Sequence, residues 1–331
     1  MSFNRFILEK QYEKVKGLGD RLELMKQQID WKPFIPLVKS VFHDDKETGG
    51  RPHTNELVVV RSMLLQAWYN LSDPELEFQC HDRLSFRNFL GFPERIPDFS
   101  TIWRIRDRLE AEGIDTLIWA ELQRQLDDKG FKVKKGTIQD ASFIESDLGK
   151  KRYSQGKKAK KKGETVEYSE KQLSHIDRDG SFSVKHGQVH YGYKSHIKTD
   201  VDHHLIRSFE VTTASVHDSD IDLSAREEVV YRDKGYTGKE TKAKGNGSMK
   251  RGNLSIREKL RNKRIAKKRA PGERPFSVIK RTFNGDRTFV KTLPHVRTKE
   301  MFKCFAFNLY QLVTLERKRM SVSYVNNQKI A

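Results

Sequence analysis

Apolar residues recur with helical spacing through the first third of the chain. Residues 57–68 (LVVVRSMLLQAW) form an apolar segment without Gly or Pro, which predicts a buried helix. Ser72, Asp73 and Pro74 then have the pattern of a helix start, with a capping serine and a proline in the first turn. A further helix is predicted from about residue 100 to 113, and the apolar residues that share one of its faces are Ile102, Ile105 and Leu109.

Two interpretations of this helical region stay open. Short helices joined by tight turns, the last of them rich in arginine, favour a helix-turn-helix-like module that contacts DNA. The alternative is an ordinary helical bundle whose arginines extend their charged ends into solvent. In the first interpretation Arg104 and Arg108, one turn apart, project together and are candidates for reading guanine edges in the major groove.

The periodicity changes after Gly130. Runs rich in Val, Ile, Thr, Phe and Tyr predict strands at 131–146, 188–198, 205–214 and 228–232. A basic helix is predicted at 253–269, ending at Pro271 and Gly272, and an amphipathic helix at 300–319. Strands followed by helices predict an α/β half, a mixed sheet with flanking helices.

The chain of 331 residues has room for about two domains of roughly 150 residues each. The change of period divides it into a helical N-terminal region at 1–128, the candidate for DNA binding, and an α/β domain at 129–320. The low-complexity segment 150–171 is predicted to be a basic loop of the second domain, and 321–331 a flexible C-terminal tail.

Composition excludes several classes of protein. The two cysteines, Cys80 and Cys304, lie far apart, which argues against a disulfide scaffold or a cysteine-bound zinc and fits a reducing cytosol. No run approaches the ~18 apolar residues of a membrane span. The first residues also lack the apolar core of a secretory signal. We therefore expect a cytoplasmic protein without a membrane partner.

Charge indicates the partner. The chain carries 64 Lys and Arg against 45 Asp and Glu, a formal net charge of +19. Segment 239–281 alone holds 16 basic and three acidic residues, so it contributes +13 of that charge. A solvated surface usually mixes both signs, whereas a block of nearly one sign favours contact with a phosphate backbone. The expected partner is double-stranded DNA.

Three acids stand at positions that suggest chemistry. Asp140 and Asp233 are each predicted to end a strand, and Glu273 follows the Pro-Gly that ends the basic helix. Taken alone, an acid at a strand end is most often a turn residue. Three converging carboxylates without histidine or cysteine ligands instead suit a hard cation such as Mg²⁺. Two such ions about 3.5–4 Å apart can activate a water or a 3′-hydroxyl for phosphodiester chemistry.

Five blocks of sequence resemble the bacterial insertion-sequence transposases of the DDE class, specifically the insertion-sequence-five family, and together they extend over nearly the whole chain. These are 50–92, 97–106 (PDFSTIWRIR), 190–219, 229–238 (VVYRDKGYTG) and 274–283 (RPFSVIKRTF). The resemblance implies a ribonuclease-H-like catalytic fold. It also implies that Asp140, Asp233 and Glu273 are the catalytic, metal-binding triad for two Mg²⁺ ions, for which Mn²⁺ substitutes. The expected activity is binding of terminal inverted repeats, cleavage at the element ends and strand transfer to target DNA.

A wider signature of such enzymes spaces tyrosine, arginine, glutamate and lysine. Here Arg269, Glu273 and Lys280 match it, but the tyrosine position is occupied by Ala266. Glu273 and Lys280 are seven residues apart, two helical turns, so they share a face. We expect phosphate contacts from this part of the chain, made by Lys263, Arg264, Lys267, Lys268, Arg269 and Lys280.

Other functions remain as alternatives. A plain ribonuclease-H-like nuclease would not need the N-terminal blocks or the second basic region. A non-catalytic DNA-binding protein or regulator, derived from an inactive transposase copy, would not need all three acids. A transposase must bring two element ends together, so a homodimer in a synaptic complex, associated with the bacterial nucleoid, is expected from the mechanism.

Overall fold

The computed structural model describes residues 3–42, 53–147, 162–163, 169, 177–185 and 187–328. The basic loop predicted at 150–171 lies, except for three residues, outside the described residues. Eight helices precede the sheet in this part of the chain: α1 Phe3–Gly17, α2 Arg21–Lys26, α3 Phe34–Lys39, α4 Glu56–Tyr69, α5 Asp73–Asp82, α6 Leu84–Leu90, α7 Phe99–Ala111 and α8 Ile114–Asp128. Then come β1 Thr137–Glu145, β2 Ser181–Lys185, β3 Gln188–Asp200, β4 Ile206–Thr213, β5 Val229–Arg232, β6 Gly245–Ser248, α9 Ile256–Arg269, α10 Glu273–Arg281 and α11 Leu293–Gln328.

Side-chain caps begin the predicted helices of the first region. Asn55 accepts hydrogen bonds from two backbone N–H groups at the start of α4, and Ser72 caps α5 with Pro74 in its first turn. Asp98 caps α7, whose apolar face of Ile102, Ile105 and Leu109 is buried. The predicted helices at 57–68 and 100–113 are confirmed.

The sheet is mixed, as predicted. β3 pairs antiparallel with both β1 and β4, and its first residues pair with β2. β5 runs parallel to β1, and β6 runs parallel to β5. β1 starts six residues later than predicted, after Gly136, whose φ of +96° interrupts an extended run. The sequence analysis missed β2 and β6; β6 (GNGS) carries no apolar alternation that would have indicated a strand.

α11 packs against both parts of the chain. It contacts α4 and α7 of the helical region and β4 of the sheet, and its residues Met301, Phe302 and Phe305 are buried. Asn308 is buried at the sheet side, where its amide exchanges hydrogen bonds with the N–H and C=O of Ile206 (2.8 and 2.9 Å).

The C-terminal helix is longer than the sequence suggested. It was predicted at 300–319, but it starts at Leu293 and continues to Gln328, so residues 321–328 of the predicted flexible tail are helical. Among the described residues, no helix combines the length and the apolar character needed to cross a membrane.

Candidate catalytic site

Asp140 lies within β1 and does not end it, which corrects the sequence prediction. On one side β1 stays paired with β3 from Asp140, opposite Ile197, as far as Glu145. On the other side the parallel pairing with β5 joins Thr137 to Val230 and Ile138 to Tyr231, and no later pair is formed in the described chain. The β5 side of β1 therefore opens at Asp140, two residues after Ile138.

Asp233 follows β5 directly, two residues after Tyr231. By the register of the two strands it stands beside Asp140, and the period of two puts both on the same face of the sheet. Its carboxylate accepts a hydrogen bond from the N–H of Gly235 (2.7 Å), which starts a 3₁₀ turn at Lys234–Tyr236. A Cβ on Gly235 would lie 2.8 Å from the Asp233 Oδ1, so a larger residue there would displace this carboxylate.

Two buried side chains hold the Asp233 turn in place. Tyr236 is buried, and the guanidinium carbon of Arg232 lies 5.3 Å from the centre of its ring. Arg232 is fully buried and forms an ion pair with Asp222 (2.7 Å). The turn after β5 is therefore anchored from the strand that precedes it.

Glu273 reaches the site because the backbone before it approaches β1 closely. A 3₁₀ turn, Ala270–Gly272, joins α9 to α10, and Arg269, Ala270, Gly272 and Glu273 all have right-handed helical dihedrals. A Cβ on Gly272 would lie 2.5 Å from Ile138 Cγ2, so glycine is needed at this crossing. Glu273, the next residue, begins α10 and is exposed.

The three carboxylates interact electrostatically. Burial, together with the neighbouring charges of Glu273 and Asp233, raises the pKa of Asp140 to about 6, against the opposing effects of Arg269 and the N–H of Ala141. Like charges at short range disfavour ionisation, so this raised pKa reflects crowding of acids at one place as well as burial. The structure thus places the charges of Asp233 and Glu273 near enough to Asp140 to affect its ionisation.

Arg269 occupies the position of a counter-ion. Its guanidinium lies 3.0 Å from the carboxylate of Asp140, and both side chains are more than four-fifths buried. From the sequence, Arg269 is predicted to contact DNA phosphate; in the structure its guanidinium pairs with Asp140 instead.

The three carboxylates are of the chemical type that binds a divalent cation, but their present positions do not form a metal site. Within the described chain, no three acid, histidine or cysteine side chains lie close enough together to form a metal site. The site nevertheless consists of carboxylate oxygens that repel one another, which are the ligands a hard cation prefers. Arg269 occupies the Oδ2 of Asp140, so a cation at this oxygen would compete with its guanidinium.

The basic residues of α9 fall into two groups. Lys263, Arg264 and Lys267 are exposed, and the structure gives them no ion pair within the described residues. Lys268 instead contacts the hydroxyl of Tyr231, with 2.7 Å between its Nζ and the phenol oxygen. Lys280 is exposed on α10, the helix that Glu273 begins, as its two-turn spacing predicted.

Arg104 and Arg108 are both exposed on α7 and line a groove of about 1230 Å³. Arg104 donates a hydrogen bond to Thr101 (3.2 Å), whereas Arg108 donates to the carbonyl of Val41 (3.0 Å). Arg61 and Arg95 line the same groove, and the sequence analysis did not select them. Arg106 lies on the other side of α7, where it is buried and paired with Asp73.

Two family models match the chain. Residues 9–108 match the transposase domain described as Transposase domain (DUF772), and residues 170–309 match the Transposase DDE domain. No solved structure matches the chain. The second match includes Asp233 and Glu273, while Asp140 lies before its first residue.

The chain therefore belongs to the DDE transposases, enzymes that bind DNA and cleave it with the help of a divalent metal. Its mixed sheet, with β1, β3 and β4 antiparallel and β5 parallel to β1, is the ribonuclease-H-like fold of that domain.

The raised pKa of Asp140 predicts how stability depends on pH. An unfolded aspartate ionises near 3.8, whereas Asp140 in the metal-free fold ionises near 6, so its ionisation opposes folding. Below pH 4 the carboxyl is mostly protonated in both the folded and the unfolded chain, so it does not affect stability. Above pH 6 it is ionised in both, and the free energy of unfolding is lower by at most about 3 kcal/mol. Relative to wild type, Asp140→Asn should therefore gain stability as pH rises from 4 to 7, measured by urea unfolding with EDTA.

Asp202→Asn is the control for this prediction. Hydrogen bonding and ion pairing with Lys135 lower the pKa of Asp202, so its charge stabilises the fold above pH 4. The control should therefore be less stable than wild type by a nearly constant amount from pH 4 to 7, because the contribution of Asp202 falls only below about pH 4. A pH trend of the same sign in both variants would contradict the assignment to Asp140.

Proposed function

We propose that Asp140, Asp233 and Glu273 hold Mg²⁺, with two ions expected and Mn²⁺ as a substitute. The observation that supports this most directly is the crowding of the three carboxylates where β1 and β5 separate. When bound, the ions supply activation of a water or 3′-hydroxyl and stabilisation of the leaving oxygen. Lys280, two turns from Glu273, then holds a phosphate beside the site.

The chain is proposed to act as a transposase of the insertion-sequence-five family that recognises the terminal inverted repeats of its element. In this proposal residues 1–128 bind the ends, and residues 129–320 cleave them and join them to target DNA. The two family matches, over residues 9–108 and 170–309, and the arginine-lined groove on α7 support this division. Two ends must meet in one complex, so the proposed active form is a homodimer.

Conversion of any one acid to its amide should abolish Mg²⁺-dependent cleavage of an end-containing duplex. Asp140→Asn, Asp233→Asn and Glu273→Gln remove metal ligands but no phosphate contact, so DNA binding in Ca²⁺ should persist. Asp220→Asn, which changes an exposed carboxylate paired with Lys239, should cleave normally. Full cleavage by one of the three variants would show that its residue does not belong to the site. A wild-type protein that does not cleave would favour the alternative of a non-catalytic DNA-binding protein or regulator.

Removing Arg269 should strengthen metal binding in the absence of DNA. Arg269→Gln frees the Asp140 carboxylate from a guanidinium at 3.0 Å, so we expect Mn²⁺ affinity, measured by electron paramagnetic resonance, to rise about tenfold. Arg264→Gln removes the same charge from an exposed position of the same helix and should change the affinity much less. Equal changes in both variants would mean that only net charge matters.

The exposed face of α9 should contribute to DNA affinity through phosphates. Replacing Lys263, Arg264 and Lys267 by Gln should flatten the dependence of log K on log salt by about 0.9 for each duplex phosphate that the variant no longer neutralises. Lys129, Lys132 and Lys134, exposed at the opposite end of the parallel strands, provide a control triple with the same charge change. If both triple variants had the same slope of log K against log salt, the three α9 residues would be exposed to solvent without contacting phosphates.

Arg104→Ala and Arg108→Ala should each lower the preference for terminal repeats over random duplex. A bidentate contact to guanine is worth about 1–3 kcal/mol of discrimination, whereas a phosphate contact is not specific for sequence. We expect the larger effect from Arg104, because Arg108 is already bonded to Val41. Competition binding at fixed salt measures both affinities, and a parallel fall would make these arginines backbone contacts.

A further inference from the structure

Tyr231 stands in the row of side chains next to the proposed metal ligands. It precedes Asp233 by two residues on β5, and its register partner Ile138 precedes Asp140 by two residues on β1. Side chains two residues apart in a strand point to the same face. Tyr231 therefore shares the face of the sheet on which the carboxylates lie, and the catalytic proposal gives it no role.

Two glycines, one on β6 and one just before β1, make room for the Tyr231 ring. On β6, its register partner is Gly247, where a Cβ would lie 2.6 Å from the ring Cδ1. On the other side, a Cβ at Gly136 would lie 3.3 Å from the ring Cε2. The ring is half-buried between the backbones of these two glycines, so its position is fixed by the sheet.

The hydroxyl of Tyr231 meets an exposed ammonium from α9. Lys268 Nζ lies 2.7 Å from the phenol oxygen and 4.7 Å from the centre of the ring. An ammonium can only donate, so the phenol oxygen accepts, and its own proton remains to be donated. Among the described residues the phenol has no acceptor, and Lys268 keeps N–H groups free as well.

This pair combines a positive charge with several outward hydrogen-bond donors. Charged donors to phosphate oxygens are the strong class of hydrogen bonds, and a phenol held by packing loses little freedom when it donates. Lys268 was expected from sequence to contact DNA, but a lysine alone recognises phosphate only as a point charge. The fixed hydroxyl adds a defined position, one row of side chains away from Asp140 and Asp233.

We propose that Tyr231 and Lys268 together bind one backbone phosphate of the DNA strand, close to the phosphodiester that reacts at the carboxylates. The inference rests on the proposed site at Asp140, Asp233 and Glu273. Tyr231 is a positioning residue in this proposal: it sets the register of the strand against the carboxylates.

The test uses Tyr231→Phe, which keeps the ring between the two glycines and removes the donor. The probe is a duplex that carries the terminal repeat flanking the gene, with a neutral methylphosphonate placed at each phosphate near the cleaved end in turn. Binding is measured in Ca²⁺, where no cleavage occurs. Wild type should lose affinity at several phosphates, one of which is the phosphate that Tyr231 and Lys268 bind. Tyr231→Phe should bind unmodified DNA about tenfold more weakly, the size of a hydrogen bond to a charged acceptor, and respond much less to that one substitution.

Lys268→Gln should lose its response at the same phosphate. Lys129→Gln, which removes the same charge from an exposed position at the opposite end of the parallel strands, should keep the wild-type pattern. An unchanged urea midpoint for Tyr231→Phe shows that folding is intact.

Two outcomes would overturn the inference: a wild-type pattern for Tyr231→Phe, or a loss spread evenly over all phosphates. Neither depends on cleavage, so they are distinct from failure of the catalytic proposal, which Asp233→Asn tests separately. If Asp233→Asn cleaves normally, the metal site is wrong whatever the phosphate pattern.

Discussion

The short parallel pairing between β1 and β5 is the constraint on which the site depends. The pairing ends at Ile138 and Tyr231, while β1 remains held by β3 on its other edge as far as Glu145. β1 therefore stays in the sheet while its β5 side opens. In α/β sheets, ligands bind in the crevice where the carboxyl ends of parallel strands part. Here that crevice begins at Asp140 and Asp233, so topology alone brings two acids from distant parts of the sequence side by side.

Crowding of acids makes the metal-free site electrostatically unfavourable. Burial and two neighbouring carboxylates raise the pKa of Asp140, and Arg269 from the end of α9 offsets part of that repulsion. Arg269 offsets this repulsion less than a divalent ion would, because its guanidinium carries a single positive charge and pairs with only one of the three acids, Asp140. The same helix presents Lys263, Arg264 and Lys267 to solvent. A DNA phosphate bound there would offer Arg269 another partner.

The helical region and the sheet are joined through a shared core. α11 contacts α4 and α7 on one side and β4 on the other. At the end of α4, the amide of Asn70 donates to the carbonyls of Asn284 and Arg287, and the chain beside Arg287 pairs with the last residue of β1, Glu145. α7 is thus held in a fixed orientation relative to β1, which the proposed division of roles needs if recognition on α7 is to direct cleavage at the carboxylates.

The sequence by itself indicated five of the helices, four of the strands, the basic character and the three candidate acids, because periodicity, capping residues and charge are local properties. It did not determine that Asp140 lies inside a strand, that Arg106 is buried while Arg104 is exposed, or that Arg269 pairs with Asp140. It also did not determine that Tyr231 of β5 contacts Lys268 of α9, the helix in which Ala266 stands at the tyrosine position of the signature. Each of these depends on which strand pairs with which and in what register. Register joins residues about a hundred positions apart, as Ile138 and Tyr231 are joined, and only the folded chain sets such distances.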